Sequence, residues 1–171
     1  MKIVLCGMMG CGKTTVSKAL AARLQTQAID TDAWILQRHG DISAIFETYG
    51  EEHFRTLETQ AVQAIPEDVG VVAVGGGLVM KKENVRLLKQ WGKLVYLQAS
   101  KQTLFARLQG DTSRPLLQGE ALSARLDSLL SSREGVYASV ADFTVSVNGK
   151  TPEEIADEII QKLHLAGAGV Q

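Results

Sequence analysis

Residues 7–14, Gly7-Met8-Met9-Gly10-Cys11-Gly12-Lys13-Thr14, fit the pattern G-x-x-x-x-G-K-[ST] and constrain this chain more than any other stretch. Such a loop cradles phosphate in one setting: a buried strand ends just before it and a helix opens from it. Both halves of that setting are present. Lys2–Cys6 is an almost wholly apolar run, and Val16, Leu20 and Leu24 recur every fourth residue beyond the loop. The glycines let successive backbone N–H groups converge on phosphate oxygens with no Cβ in the way. In this pattern the lysine, here Lys13, reaches the β- and γ-phosphates, and the hydroxyl of Thr14 ligates Mg²⁺. The sequence predicts a phosphate-binding loop at the end of a first strand.

The rest of the chain repeats the strand–helix alternation. Short β-rich runs lie at Lys2–Cys6, Ala28–Ile29 with its flanks, Val71–Val74, Leu94–Leu97 and Phe143–Val147. Four of the five are nearly all apolar rather than alternating, as strands covered on both faces are. Helical spacing joins Phe54, Leu57, Ala61 and Ala64, and also Val85, Leu88 and Trp91, after which Gly92 reads as a left-handed stop. Thr151-Pro152-Glu153-Glu154 supplies an N-cap, a proline at N1 and a capping-box glutamate. The Gly- and Ala-rich end from Ala166 to Gln171 reads as frayed. The prediction is a three-layer α/β fold with a five-stranded parallel sheet, a single domain over 1–171.

Composition narrows the partners. Eighteen Lys and Arg against 19 Asp and Glu leave a formal charge of −1, which does not suit a nucleic-acid or membrane-surface binder. Cys6 and Cys11 form no CxxC pair, and His39, His53 and His164 have no metal-type spacing and read as surface residues. No apolar run reaches the length of a membrane span. A cytoplasmic location is expected from this cysteine usage.

The source of acid distinguishes classes of phosphate-binding loop. Many hold Mg²⁺ with an acid at the end of a buried strand. Here Val71-Val72-Ala73-Val74 runs straight into Gly75-Gly76-Gly77, and the acids come instead from Asp30-Thr31-Asp32 after the second strand. The C-terminal ends of parallel strands share one edge, so Asp30 and Asp32 are expected to face the loop. Extended chain would set both on one side, one serving the metal through water and the other accepting a proton from a substrate hydroxyl. The competing reading makes Asp32 only the cap of a helix starting at Ala33.

Taken together, these residues resemble the shikimate kinase family, within the nucleoside-monophosphate-kinase-like P-loop group. The marks are Gly10-Cys11-Gly12-Lys13-Thr14-Thr15, Asp30-Thr31-Asp32, Phe54-Arg55 with Glu58, Gly75-Gly76-Gly77, Arg114-Pro115-Leu116-Leu117, and Arg133 before Tyr137 and Ala141-Asp142. The resemblance implies ATP-dependent phosphorylation of the shikimate 3-hydroxyl, a step of aromatic amino acid (chorismate) biosynthesis, with Mg²⁺ as cofactor and a monomer. It implies that Thr14 ligates Mg²⁺, with Asp30 supporting through water, and that Asp32 binds the substrate diol and acts as base. Arg55, oriented by Glu58, would hold the substrate carboxylate with Arg133, and Gly76 and Gly77 would line the acid's site, Gly76 through its N–H. Arg114, in a lid at about 109–120, would close over phosphates bound by residues 10–15, with Arg107 and Lys150 near the adenine. Arginine suits a carboxylate because its planar fork makes two parallel hydrogen bonds, which an ammonium cannot. Glycines at 75–77 are expected to let the substrate approach the backbone closely.

Departures from the family pattern carry their own expectations. Val74 stands where Thr is frequent. Arg133-Glu134-Gly135-Val136-Tyr137 lacks a proline before the tyrosine and Ser139 replaces a frequent Glu, which predicts a looser helix end at Arg133. Cys11 at a helix N-terminus is expected to be oxidation-sensitive, and Phe46 and Phe54 either wall the acid site or belong to the core. Two rival functions remain open on the residues alone. One is a kinase of the same fold acting on gluconate or a nucleoside monophosphate; the other is a nucleotide-gated switch without metabolic turnover.

Overall fold

The computed structural model describes residues 1–110 and 119–168. Strands β1 (Ile3–Cys6), β2 (Gln27–Asp30), β3 (Val69–Ala73), β4 (Lys93–Gln98) and β5 (Phe143–Ser146) form one sheet in the order β2-β3-β1-β4-β5. Every pairing is parallel, with Val4 between Val72 and Leu94 at the centre. The predicted runs mark all five strands. Residues of β1 and β3 are buried throughout and β4 nearly so, whereas the edge strands β2 and β5 are only half covered. That difference explains the polar residues in Gln27-Ala28-Ile29-Asp30, whose strand signal is short.

The helices are α1 (Lys13–Leu24), α2 (Thr31–His39), α3 (Ile42–Gln63), α4 (Lys82–Trp91), α5 (Lys101–Gln109), α6 (Gly119–Val140) and α7 (Pro152–Ala168), with a 3₁₀ turn at Leu78–Met80. Leu20, Leu88 and Leu104 are fully buried in the main core, and each contributes roughly 1.5–3 kcal/mol of transfer free energy. Among the described residues, no helix is long and apolar enough to cross a membrane. His39, His53 and His164 are exposed, as expected.

The capping box at α7 forms as read: Glu154 N–H donates to Thr151 Oγ1 at 3.2 Å while Thr151 N–H donates to the Glu154 carboxylate at 2.8 Å. The helix runs to Ala168, and the rest of the end read as frayed, 169–171, lies outside the described residues. Gly92 corrects its expectation. Its backbone is extended, not left-handed, at φ −171°. The glycine is needed for proximity instead, because a Cβ there would lie 2.4 Å from the Lys2 carbonyl oxygen where β4 enters beside β1. A Gly92→Ala substitution is expected to destabilise the fold by about 1–3 kcal/mol through this backbone clash, read from denaturant unfolding.

Two helical stretches carry no strong signal in the sequence. One is α2; the other is the first half of α3, which joins the second half across a kink at Gly50 with φ 80°. With the second half of α3 they form a satellite core of Ile35, Ile45, Phe54, Leu57 and Ala61. Phe54 is buried in it and so belongs to the core, while the exposed Phe46 ring lies 4.6 Å from it. This small core matters because it carries Arg55 and Glu58.

Strand order reverses beside β1: the chain goes out to β2 and back through β3, then crosses to β4 and β5. In open α/β sheets such a switch point leaves a crevice beyond the strand C-termini, where ligands bind. The loop after β1 sits at its mouth.

Candidate active site

The loop from Gly7 to Thr14 holds glycine where side chains would fail. Gly7 has φ 148°, and a Cβ there would meet the Leu97 carbonyl oxygen at 2.6 Å. Gly12 caps α1 with φ 95°, pointing the first N–H groups of the helix into the crevice. Lys13 folds back over the loop, its Nζ donating to the carbonyls of Gly7 at 2.8 Å and Met8 at 2.9 Å. The ammonium is thus held above the loop by two carbonyls. Cys11 is wholly buried, so its thiol is shielded from solvent. The expected oxidation sensitivity therefore lacks the access it needs. Burial pushes the neighbouring Cys6 thiol up to about 12, with Lys13 opposing.

A cavity of about 450 Å³ opens over this loop, reached by residues 9–16, Asp30, Asp32, Gly76, Arg107 and Lys150. Thr14 Oγ1 donates to Asp30 Oδ2 at 2.5 Å. The other oxygen of Asp30 accepts from the N–H groups of Asp32 at 2.9 Å and Ala33 at 3.2 Å, so Asp30, not Asp32, is the N-cap of α2. The helix begins at Thr31, which corrects both sequence readings of this segment. Asp32 is no cap, and the two acids are not spaced along extended chain. Asp30 ends the strand and Asp32 stands in the first helical turn, and this bend brings both to the same cavity.

Gly75, Gly76 and Gly77 separate the phosphate end from a cluster of charges. A Cβ on Gly75 would lie 2.7 Å from Asp32 Oδ1 and 3.0 Å from Glu58 Oε1; one on Gly77 would lie 2.5 Å from Arg55 Nη1. Both glycines are buried under side chains of the chain itself. Gly75 and Gly77 therefore also make room for the site's own acids and guanidinium. Only Gly76 is part-exposed, with Arg133 Nη1 3.6 Å from its Cβ position.

Arg55 Nη1 donates to Glu58 Oε2 at 2.7 Å and Nη2 to Glu51 Oε1 at 3.1 Å. With Glu58 only 1% exposed, this is not an ordinary surface pair one helical turn long. Burial pushes the Glu58 carboxyl up, against the pull of Arg55; Asp32 adds to the rise and Arg133 opposes it. Burial would lower the Arg55 guanidinium, but its hydrogen bonds and attraction to Glu58 and Glu51 outweigh that and raise it. The influence of Asp32 and Arg133 on Glu58 places all four charges in one neighbourhood. Arg55, Glu58 and Arg133 stand beyond Asp32 and Gly76 rather than on the wall of the 450 Å³ cavity.

Arg133 sits within an unbroken α6 that continues to Val140, so the missing proline does not loosen a helix end there. One turn later the Tyr137 hydroxyl donates to the Gly76 carbonyl at 2.5 Å. Burial pushes that phenol well above its ordinary range, with Arg133 opposing, so it remains a donor at physiological pH. Arg107 donates to the Gly10 carbonyl at 3.2 Å, and Lys150 pairs with Glu158 at 2.5 Å beside the same cavity. Arg114 lies outside the described residues, as does most of the segment at about 109–120.

Several supports were not visible in the sequence. Thr31, fully buried, accepts the Gly75 N–H at 3.0 Å. Asn84 donates to the Leu78 carbonyl at 3.0 Å and accepts from Thr59 Oγ1 at 2.9 Å, tying the glycine turn to the helix of Arg55. A polar residue inside an apolar helical face is the signal that could have found Asn84 and Thr59.

Comparison with known proteins agrees with this geometry. The family model described as "Shikimate kinase" matches residues 9–164. A shikimate kinase of Thermodesulfovibrio yellowstonii is 42% identical over 162 residues, covering 94% of this chain and 93% of that protein. The solved structure described as shikimate kinase from Acinetobacter baumannii in complex with shikimate superposes with a TM-score of 0.89 at 35% identity, covering 99% of this chain and 95% of that one. A gluconokinase from Sinorhizobium meliloti reaches a TM-score of 0.63 at 20% identity over 96% of both chains, a likeness of fold alone. With the phosphate loop, paired acids and arginine cluster in place, this chain belongs to the shikimate kinase family.

Proposed function

We propose that this chain transfers the γ-phosphoryl group of ATP to the 3-hydroxyl of shikimate, giving ADP and shikimate 3-phosphate. The observation that carries this reading is the position of Asp32. It lines the phosphate cavity and packs against Gly75 beside Glu58, the carboxylate that anchors Arg55. A carboxylate able to take a hydroxyl proton thus stands between a phosphate loop and guanidinium groups suited to a small acid.

In this reading Arg55 and Arg133 hold the substrate carboxylate and Glu58 fixes the angle of Arg55. The Gly76 and Gly77 N–H groups face the bound acid. Asp32 aligns the acceptor hydroxyl and accepts its proton as the oxygen–phosphorus bond forms. Lys13 leaves the two loop carbonyls for phosphate oxygens of greater charge, while the loop N–H groups, including that of Thr15, hold the ATP phosphates. The donor set fits Mg²⁺, since a hydroxyl and a carboxylate oxygen meet at the loop and such a site completes itself with water and phosphate. Thr14 would hold the ion directly and Asp30 through water; bound there, Mg²⁺ neutralises charge on the β- and γ-phosphates. Arg114 would cover the phosphates from the lid, and Arg107 and Lys150 would lie toward the adenine. The reading is of a single-domain monomer acting on two small molecules, with no nucleic acid or membrane, in the cytoplasm, where thiols such as Cys6 and Cys11 stay reduced.

An ADP-release assay tests this with shikimate, gluconate and nucleoside monophosphates offered in turn. Stimulation by shikimate alone is expected. Release unaffected by shikimate overturns the reading.

A further inference from the structure

The Gly75–Gly77 turn spends most of its backbone hydrogen-bonding groups on the protein itself. Gly75 N–H goes to Thr31, and the Gly75 carbonyl accepts from Leu78 N–H at 3.0 Å. The Gly77 carbonyl accepts from Met80 N–H at 3.1 Å, and the Gly76 carbonyl accepts from Tyr137. Among the described residues, the N–H groups of Gly76 and Gly77 have no hydrogen-bond acceptor. Such donors at a site entrance call for a ligand oxygen.

The peptide between Gly76 and Gly77 is trans, as all described peptides are, so its carbonyl and N–H point in opposite directions. Whatever fixes the Gly76 carbonyl also aims the Gly77 N–H. A peptide flanked by two glycines has little conformational preference of its own, because glycine accepts both signs of φ. Thr31 holds the turn only before this peptide, and Met80 only after it. Tyr137 is the one side chain among the described residues bonded to the Gly76–Gly77 peptide itself. Its ring is fully buried, and it is stacked on Tyr96 at a centroid distance of 5.2 Å. The hydroxyl also lies 3.8 Å from Sδ of Met8 in the phosphate loop. A rigid post thus reaches the one part-exposed residue of the turn.

We propose that Tyr137 is a positioning residue for the acid acceptor: its hydroxyl locks the Gly76–Gly77 peptide plane so that the Gly77 N–H stays turned toward the Arg55 side. It touches neither the acceptor nor ATP; it acts through the peptide that does. The inference deepens the function proposed above and rests on it.

Tyr137→Phe keeps the ring and its stacking and removes one hydroxyl; because that hydroxyl also interacts with Arg133, the Gly77 amide, and not the acid KM alone, reports on the peptide. The KM for shikimate is expected to rise about tenfold, the effect of one well-placed hydrogen bond. The KM for ATP should stay within about twofold and kcat should fall less than the acid KM rises. In ¹⁵N-glycine-labelled protein, the Gly77 amide should acquire microsecond-to-millisecond exchange broadening in the variant and show none in the parent. An unchanged acid KM, an equal rise in both KM values, or an unaltered Gly77 amide overturns the proposal. Failure of the parent chain to phosphorylate shikimate would instead remove the reading beneath it, so the two failures are told apart.

Discussion

Replacing Asp32 by Asn is expected to lower kcat with shikimate by about a thousandfold while ATP affinity stays within about twofold. The size follows from the role. A positioned carboxylate that takes the acceptor proton contributes on the order of 10²–10⁴ in rate, and the amide cannot take it. The substitution is nearly isosteric, which matters because Asp32 Oδ1 lies so close to Gly75 that a larger group would displace the turn. The cap of α2 belongs to Asp30 and survives, as does the Thr14–Asp30 contact. The described hydrogen bonds of Lys13 to the phosphate loop are also kept. Steady-state turnover with equilibrium binding of an ATP analogue separates the two effects. Turnover within about tenfold of the parent would sink the base assignment, and a parallel loss of nucleotide binding would place Asp32 on the wrong substrate.

That Asp32 could be singled out from sequence, while its setting could not, shows where local reading stops. The phosphate loop is legible because its glycines, lysine and threonine are contiguous and their geometry is fixed by the strand and helix around them. The strands are legible for a related reason, since central strands buried on both faces write themselves as unbroken apolar runs. Asp30 and Asp32 were read on extended chain because the strand runs into them; the structure shows Asp30 turning the chain by accepting N–H groups from its own successors. Neither a left-handed stop at Gly92 nor an acid site at Gly77 reveals that a distant part of the chain passes close by: Lys2 in one case, Arg55 in the other. Such approaches belong to tertiary structure, and no period or spacing encodes them. Thr31, Asn84 and Thr59 escaped for the same reason, as their value lies in partners up to 44 residues away.

Arg55→Lys tests the other half of the site. The variant keeps the positive charge, so simple electrostatic attraction for an acid persists and only the fork is lost. Charge-assisted hydrogen bonds are worth about 1.5–3 kcal/mol each. Losing one such bond and the planar alignment raises the shikimate KM by about a hundredfold, with the ATP KM unchanged. A lysine also leaves empty the space beside Gly77 that the guanidinium fills and holds Glu58 less well. Stability should therefore fall too, and its pH dependence identifies the cause. Burial raises the folded-state pKa of Glu58 above its unfolded value, and Arg55 opposes that rise. A group shifted in this direction favours the fold below its unfolded pKa and loses that contribution as pH climbs through the folded one. Weakening Arg55 widens the gap. The variant should lie nearest the parent in stability at about pH 4 and fall further behind toward neutrality, in urea unfolding followed across that range. A deficit that shrinks with rising pH would mean that Glu58 does not depend on Arg55, and equal KM increases for acid and nucleotide would remove Arg55 from the carboxylate site.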